Sequence, residues 1–318
     1  MTLISPLITG AAGFVGSHLV RKLSRNPDTK IIYAVDLKGS RRLADLAKLP
    51  KVQILELDLC DPRSEDFLPD SVSAVFSLAA LNGTSRFYSN PWTVLESSTL
   101  PTLLVIRKYA GRAPFLYTSS SEVYAGSVEI GIATIPTKED VVLSIADIHN
   151  PRWSYAMAKM HGEMALVAAA KELGLLGSIV RYHNIYGPDM GIDHFIPDFI
   201  GRVKMGVAEI FGGNNTRSFL HIDDALNGTL LALEKASDKV PIFHLGTENE
   251  MTIEAAAEKI LKVMGCEGLD LVVHSAPEGS VSRRCPDISK AIEILGWTPL
   301  VSIEEGIKTI VDEYQNGK

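Results

Sequence analysis

Short apolar runs alternate with longer amphipathic segments through the first 181 residues of the chain. The longer segments carry apolar residues at spacings of three and four, which is typical of helices that bury one face. Because strands that alternate with helices form parallel sheets with right-handed crossovers, the pattern predicts a doubly wound α/β fold. The predicted helices are residues 16–24, 92–110 and 153–173, and the predicted strands are residues 3–9, 30–35, 52–57, 74–78, 115–119 and 178–181.

After residue 181 the regular alternation is lost, and glycine and proline interrupt the chain repeatedly between residues 187 and 213. We therefore predict a second, smaller and partly inserted C-terminal α/β domain. The predicted boundaries are 1–181 plus about 220–246 for the first domain and 182–219 plus about 247–318 for the second. The predicted elements of this part are helices at 222–235, 252–265, 287–295 and 302–314 and a strand at 241–245.

Composition and charge narrow the classes of function. Of the 318 residues, 46% are hydrophobic and 22% are charged, which is ordinary for a globular protein and argues against a disordered or fibrous chain. The net charge of −7 gives no general attraction for phosphate backbones, so we expect no nucleic-acid partner. No apolar run approaches the roughly 20 residues that span a bilayer, and residues 1–16 resemble a buried strand rather than a signal peptide. We expect no membrane partner.

The three cysteines, Cys60, Cys266 and Cys285, are widely scattered. They have no paired spacing that would form a disulfide framework or a zinc site. This usage is typical of a reducing compartment, and we predict a cytoplasmic protein without a bound metal.

A glycine-rich turn, with Gly10, Gly13 and Gly16, follows the first predicted strand and opens the first predicted helix. In this context one glycine permits the tight turn, one lets the backbone approach a pyrophosphate, and one lets the helix pack closely on the strand. The free amides at the start of the helix, at Phe14 and Val15, would face the anion. The alternative is an ordinary glycine turn.

An acidic residue, Asp36, ends the second predicted strand 20 residues after Gly16, where a carboxylate can bind the adenosine ribose hydroxyls. Together with the turn it predicts a Rossmann-type dinucleotide site. Because a carboxylate repels a 2′-phosphate, Asp36 favours NAD over NADP. Arg41 and Arg42 weaken that preference, although the interpretation we favour is a pair of solvated residues that open a surface helix.

Asp58 and Leu59 follow the third predicted strand, where they could approach the adenine. An acidic residue after a strand is as often a simple turn former. We keep both residues as secondary cofactor contacts.

A phenol and an ammonium group, Tyr155 and Lys159, lie one helical turn apart on the same predicted helix face. A tyrosine near its reference pKa of about 10 is a poor base at neutral pH, but a nearby cation stabilises the phenolate. Such a pair can take a proton from a sugar hydroxyl as hydride leaves the same carbon. A Tyr/Lys pair at this spacing is, taken alone, more often a surface feature.

The order of the motifs is more specific than any one of them. Besides the glycine turn and the Tyr/Lys helix, the matching segments are residues 78–80, 118–124, 181 with 184–188, 217–219 with 221–224, 284–287 and 296–297. With these motifs the chain resembles the extended short-chain dehydrogenase/reductase superfamily, specifically its nucleotide-sugar epimerases, dehydratases and decarboxylases. The resemblance covers nearly the whole length.

The resemblance implies roles for the matching residues. Tyr155 is implied to be the catalytic base, Lys159 to orient it while binding the nicotinamide ribose, and Ser120 to hydrogen-bond the reacting C4 oxygen. The first domain is implied to bind NAD and the second a nucleotide-diphosphate sugar, whose phosphates suit the paired donors of arginine. The implied substrate contacts are Ser121, Asn184, Arg217 and Arg284, and further implied cofactor contacts are Leu78, Ala79 and Ala80. The superfamily also implies a homodimer formed through helices 92–110 and 153–173.

The chain departs from the family pattern at several positions. An asparagine followed by Gly-Thr is common in the helix after the fourth strand, and here Ser98 and Pro101-Thr102 take those places, which puts the asparagine's backbone contact in doubt. Ala125 replaces the usual glycine after Val-Tyr. The segment 138–152 before the predicted base fits no subgroup pattern.

Three reactions follow from a shared 4-keto intermediate: 4-epimerisation, 4,6-dehydration and decarboxylation of a uronic acid. Glu122 separates them, because many dehydratases carry Asp-Glu or Ser-Glu here and decarboxylases carry Ser-Glu, whereas many 4-epimerases have small residues at this position. Against dehydration, Ser121 is a poor proton donor. We predict a 4-epimerase, because this reaction requires the fewest catalytic groups among the residues present. Dehydratase and decarboxylase are the alternatives. Glu122 is either catalytic or a structural loop anchor. A catalytically silent NAD-binding regulator is the alternative from another class.

Overall fold

The computed structural model describes residues 2–276 and 281–315. Its contacts divide the chain into two compact units. The first unit comprises Met1–Val123, Asp147–Arg181 and Leu226–Phe243, and the second comprises Tyr124–Ala146, Tyr182–Ala225 and His244–Lys318.

The strands and helices follow the predicted alternation. The strands are β1 Pro6–Thr9, β2 Ile32–Asp36, β3 Val52–Glu56, β4 Ala74–Ser77, β5 Phe115–Ser120, β6 Gly177–Tyr182, β7 Ile185–Tyr186, β8 Glu209–Phe211, β9 Thr216–Arg217, β10 Leu220–His221, β11 Ile242–Leu245, β12 Met251–Thr252, β13 Val272–His274 and β14 Arg283–Arg284. The helices are α1 Phe14–Ser24, α2 Arg41–Leu46, α3 Thr84–Ser89, α4 Pro91–Tyr109, α5 Ala125–Glu129, α6 Ser154–Leu173, α7 Phe195–Lys204, α8 Ile222–Leu233, α9 Ile253–Met264 and α10 Ile303–Gln315.

A seven-stranded parallel sheet forms the centre of the first unit, with the strand order β11-β6-β5-β4-β1-β2-β3. The chain starts in the middle of the sheet, adds β2 and β3 on one side, and then crosses over to β4 on the other. In such sheets ligands bind at the carboxyl ends of the strands, where the order of winding reverses. The predicted doubly wound fold of the Rossmann type is confirmed.

Apolar residues of the strands and of α4 and α6 form the core of the first unit. All four residues of β1 and of β4 are buried, as expected for strands covered by helices on both faces. α4 begins with Pro91, whose missing N–H costs nothing at a first helical position, and α6 ends at Gly174 in the left-handed conformation. The N-terminus of α4 therefore follows the carboxyl end of β4, and the C-terminus of α6 precedes the amino end of β6.

The second unit has its own core, built from one face each of α7, α9 and α10. Ile200, Ile260 and Ile307 are fully buried in it. α9 begins with a side-chain cap, in which Thr252 Oγ1 accepts from the Ala255 amide at 3.0 Å. The predicted helix at 287–295 is represented by a single π-helical turn at Ala291–Leu295.

The contact division differs from the predicted boundaries at residues 124–146, which group with the second unit although the predicted first domain ran to residue 181. Two backbone hydrogen bonds explain the grouping. The Thr137 amide donates to the Cys285 carbonyl at 3.0 Å, and the Asp287 amide donates to the Thr137 carbonyl at 2.8 Å. The assignment of one ligand to each predicted domain stays a prediction.

Candidate active site

The glycine turn is too crowded for side chains. A Cβ atom on Gly16 would lie 2.1 Å from the Gly10 carbonyl oxygen, and one on Gly10, which has a φ of 68°, would lie 2.9 Å from the Ala79 Cα. The Gly13 amide donates to the Gly10 carbonyl at 3.0 Å. The turn therefore brings α1 close to β1 and leaves a bare backbone surface, which fits the diphosphate of a dinucleotide.

α1 begins at Phe14, followed by Val15, directly after the glycine turn. Within residues 2–276 and 281–315, no side chain caps this end of the helix. Uncapped amides and the positive end of the helix dipole attract an anion. Phe14 and Val15 thus lie where a pyrophosphate would bind.

Asp36 is joined to the glycine turn by hydrogen bonds. Its Oδ2 accepts from the Ala12 amide at 2.7 Å, and its Oδ1 accepts from the Leu37 amide at 2.8 Å. Burial raises the pKa of the Asp36 carboxyl, and the two backbone amides and the Arg42 charge oppose that effect. The carboxylate is fixed at the end of β2, where the ribose of a dinucleotide is expected.

The interpretation of Arg42 as merely solvated is wrong. Its side chain is half-buried, and its Nη1 donates to the Ala12 carbonyl at 2.8 Å. The guanidinium therefore shares the Ala12 peptide with Asp36. Sequence reasoning missed this contact because it joins residues 30 positions apart.

The other predicted cofactor residues lie at the same edge of the sheet. Thr9 Oγ1 accepts from the amides of Leu78 and Ala79 at 3.1 and 3.2 Å, which ties the end of β4 to β1. Ala80 packs against the cluster that contains Tyr155. These contacts bring the predicted Leu78, Ala79 and Ala80 to the glycine turn and the predicted base.

Asp58 forms a local turn after β3. Its Oδ1 accepts from the Cys60 amide at 2.9 Å, and its carbonyl accepts from Ser64 Oγ at 2.6 Å. Leu59 is buried. The turn-forming interpretation of Asp58 fits these bonds, and contact with adenine stays a prediction for both residues.

Ser98, which stands in place of the family's asparagine, makes a hydrogen bond to the backbone after β4. Its side chain is fully buried in α4, and its Oγ accepts from the Leu81 amide at 3.2 Å. A shorter hydroxyl thus holds the loop after β4.

Tyr155 is buried in the first unit. Its ring stacks on Phe87 at 5.0 Å between centroids with an interplanar angle of 14°, and its side chain is 8% exposed. Burial raises the pKa of the Tyr155 phenol, the nearby Glu122 charge raises it further, and a hydrogen bond from Ser120 lowers it. The predicted Ser120, Glu122 and Tyr155 are therefore brought together.

Lys159 lies one turn further along α6 and is almost fully buried. Its Nζ donates to the Thr118 carbonyl at 2.7 Å and lies 5.7 Å from the centre of the Tyr155 ring. Burial lowers the pKa of the Lys159 ammonium to about 7, although the Glu163 charge acts in the opposite direction. The ammonium is positioned to stabilise a phenolate on Tyr155.

A buried ion pair joins this helix to β6. Both oxygens of the Glu163 carboxylate accept from the Arg181 guanidinium, at 2.8 and 2.7 Å, and Ser119 Oγ donates to Oε1 at 2.5 Å. Sequence reasoning missed Glu163. The signal was present, because Glu163 follows Lys159 by four residues and so shares its helix face.

Glu122 is paired with Arg152. Glu122 Oε2 lies 3.2 Å from Arg152 Nη2, and both side chains are mostly buried. The Glu122 amide also donates to Ser120 Oγ at 3.3 Å. Ser121 is buried beside them in the same short turn.

Two of the predicted substrate residues of the second unit, Asn184 and Arg217, line one cavity. Asn184, with a φ of 40°, donates from Nδ2 to the Ser218 carbonyl at 2.9 Å and lines a cavity of about 240 Å³ together with Arg217. Arg284 pairs in register with Arg217 on the neighbouring parallel strand. The aromatic residues that line this cavity are Tyr186, Phe195, Phe211 and Phe219.

This arrangement has the composition of a nucleotide site. Arg217 lines a cavity with aromatic walls, and Arg284 is its register partner on the adjacent strand. Arginine forks bind phosphate oxygens in pairs. Arg283, the neighbour of Arg284, is instead held by Glu250, whose two oxygens accept at 2.9 and 2.6 Å. Among the residues that the structure describes, no group of three or more His, Cys, Asp or Glu side chains could hold a metal ion, and no helix is long and apolar enough to cross a membrane.

Comparison with known proteins decides the family. A model of the NAD-dependent epimerase/dehydratase family matches residues 6–246. The chain belongs to this family. The predicted membership of the extended short-chain dehydrogenase/reductase superfamily is confirmed, and so is NAD as the cofactor.

Relatives within the family differ in the reaction that they catalyse. The chain is 30% identical to UDP-glucuronic acid decarboxylase 1 of Arabidopsis thaliana over 98% of this chain and 69% of that protein. It is also 30% identical to the UDP-glucuronate 4-epimerase of Thermodesulfobacterium geofontis, over 96% of this chain and 94% of that protein. Its structure is similar to that of the UDP-glucose 4-epimerase of Thermotoga maritima with UDP-glucose, with a TM-score of 0.83, 27% identity, and 98% and 99% of the two chains covered.

Proposed function

We propose that this chain is a cytoplasmic, NAD-dependent nucleotide-sugar 4-epimerase. The observation that carries the proposal is the site of the first unit, where Tyr155, Lys159 and Ser120 lie together while the Glu122 carboxylate is paired with Arg152. A carboxylate held by a guanidinium is a weak base and a poor proton donor. Epimerisation does not require Glu122 to act as a base or as a proton donor.

Each residue has a separate task in this mechanism. Tyr155 accepts the proton of the C4 hydroxyl, and Lys159 stabilises the phenolate before the proton arrives. Ser120 hydrogen-bonds the C4 oxygen as it becomes a ketone. When bound, NAD supplies the reversible two-electron oxidation of C4. After the 4-keto sugar has rotated to present its other face, Tyr155 returns the proton to the C4 oxygen. Because the oxidation of C4 is reversed within the same cycle, the reaction consumes no net reductant.

Decarboxylation is the second candidate. Glu122 occupies the position that decarboxylases fill with Glu, and a UDP-glucuronic acid decarboxylase is 30% identical to this chain. The decisive experiment incubates the purified enzyme with UDP-, dTDP-, GDP- and CDP-hexoses and with UDP-uronic acids and identifies the products by NMR. A 4-epimer supports the proposal, whereas a pentose with release of carbon dioxide, or a 4-keto-6-deoxy sugar, contradicts it. Failure to bind or convert any nucleotide sugar would favour the silent regulator.

Asp36 is expected to set the preference for NAD. Replacing it in Asp36→Ala removes the charge that repels a 2′-phosphate and leaves Arg42 beside the ribose, so the ratio of NAD to NADP affinity should fall by about tenfold or more. Fluorescence titration with each dinucleotide measures the ratio. Asp45→Ala, at an exposed aspartate on α2, is the control that should leave it unchanged. An unchanged ratio in Asp36→Ala would show that another group selects the cofactor.

We also propose a homodimer in which α4 and α6 of two copies pack together. Both helices expose apolar side chains, among them Trp92 at 73%, Met164 at 67% and Val167 at 46%. Light scattering at micromolar concentration should give twice the chain mass of 34.5 kDa. Met164→Glu is expected to weaken the dimer, because association would bury an uncompensated charge. A monomeric mass for the wild type would exclude it.

A further inference from the structure

The short segment that precedes Tyr155 holds Arg152 in a defined place. Asn150 Oδ1 accepts from the Arg152 amide at 3.0 Å, and Pro151 begins a single 3₁₀ turn there. The guanidinium lies over the Trp153 ring, 5.0 Å from its centre. Three consecutive local features therefore fix a cation that the mechanism above does not use.

Arg152 forms an ion pair with Glu122, the acidic residue whose charge acts on the predicted base Tyr155. Arg152 Nη2 lies 3.2 Å from Glu122 Oε2, and the two side chains are only 11% and 16% exposed. At this exposure, water screens the charges less than at the surface, so each affects its neighbours more strongly. Glu122 in turn raises the pKa of the Tyr155 phenol.

The charged and titratable groups around Tyr155 belong to the elements that pack against it. Lys159 lies on the same helix, Tyr117 lies on β5 and Glu122 lies in the turn after β5. From α3 the contact is the uncharged Phe87 ring, and the ionisable groups on that helix, Arg86 and Tyr88, are exposed. From α4 the contact is Val94. A change in the charge of Glu122 or of its partner should therefore register at the Tyr155 phenol.

We propose that Arg152 is a positioning residue: by holding the Glu122 carboxylate in an ion pair, it limits the negative potential at the Tyr155 phenol and sets the pH range in which that phenol accepts a proton. The inference rests on the proposed role of Tyr155 as the base. It applies whichever product is formed, because oxidation at C4 comes first in all three reactions.

The test is the pH dependence of kcat in a cycle of three variants. In Arg152→Gln the Glu122 charge is uncompensated, the phenolate is disfavoured, and the rising limb of the profile should move to higher pH by about one pH unit. In Glu122→Gln the limb should move to lower pH, because Arg152 is then uncompensated. The double replacement should return it near the wild-type position, and Arg152→Lys, which keeps the charge, should do the same.

If Arg152 had only a structural role, Arg152→Gln and Glu122→Gln would not move the rising limb in opposite directions. Arg63→Gln, which removes an exposed guanidinium paired with Asp61, is the matched control and should leave the limb unchanged. If the limb in Arg152→Gln coincides with that of the wild type, while NAD content and the midpoint of urea unfolding are unchanged, the inference is overturned.

A second measurement does not need turnover. In protein carrying ¹³Cζ-tyrosine, the Tyr155 resonance is assigned by its loss in Tyr155→Phe and then titrated in the NAD-bound enzyme. The resonance should titrate at higher pH in Arg152→Gln than in the wild type, and identical curves would overturn the inference. The wrong product in the sugar assay, by contrast, contradicts the 4-epimerase proposal and leaves this titration interpretable.

Discussion

Tyr155→Phe should lower kcat by about a hundredfold to ten-thousandfold, the usual contribution of a positioned general acid or base. The phenylalanine ring still stacks on Phe87 and still covers Lys159, so the pocket keeps its packing, but no group remains to accept the proton of the C4 hydroxyl. Bound NAD, measured by absorbance after denaturation, should stay near the wild-type amount. Steady-state rates with the best nucleotide sugar measure the loss.

The matched control is Tyr109→Phe, which removes another buried phenol of the same unit. Tyr109 donates to the Pro69 carbonyl at 2.7 Å from α4, so its loss should affect unfolding and leave kcat unchanged. A near-normal rate in Tyr155→Phe would show that Tyr155 is not the base. An equal fall in both variants would point to a general loss of structure.

Glu163→Met should reduce the free energy of unfolding by about 3–5 kcal/mol, because it leaves the Arg181 guanidinium buried without its counter-charge. Arg181 is 2% exposed, and the carboxylate accepts two of its hydrogen bonds and one from Ser119. Urea denaturation followed by circular dichroism measures the loss. The ion pair joins α6 to β6, so its removal also loosens the helix that carries Tyr155 and Lys159.

Two comparison variants separate this effect from a surface effect. Asp45→Asn breaks an exposed pair with Lys48 and should leave the unfolding midpoint unchanged. The double replacement Glu163→Met with Arg181→Met removes both buried charges and should recover much of the lost stability. If Glu163→Met alone were as stable as the wild type, the buried pair would contribute nothing to the fold.

Features that depend on local sequence were predictable. The alternation of strands and helices, the crowded glycine turn at Gly10 and Gly16, and the spacing of Tyr155 and Lys159 are all set within one or two turns of chain. Each follows from the spacing of residues in the sequence or from a local steric requirement. The family motifs then placed Asn184 and Arg217, which line one cavity in the second unit.

Features that depend on tertiary packing were not predictable. Arg152 lies 30 residues from Glu122, and Arg181 lies 18 residues from Glu163, so their pairing follows only from the neighbouring positions of the turn after β5, α6 and β6. The same holds for Arg42, which looks like a surface residue until α2 is placed beside the glycine turn. Helix periodicity relates only residues three or four positions apart, so charge patterns along the chain do not reveal such pairs.

The most direct test of the proposed reaction is turnover of the wild type in heavy water with nucleotide hexoses and uronic acids, followed by NMR of the product. A 4-epimerase never touches the C5 hydrogen, so the account predicts a 4-epimer without deuterium at C5, and Glu122→Gln should form the same product. A dehydratase must remove the C5 proton, and a decarboxylase must protonate C5 after carbon dioxide leaves. Deuterium at C5 of the product would therefore contradict 4-epimerisation.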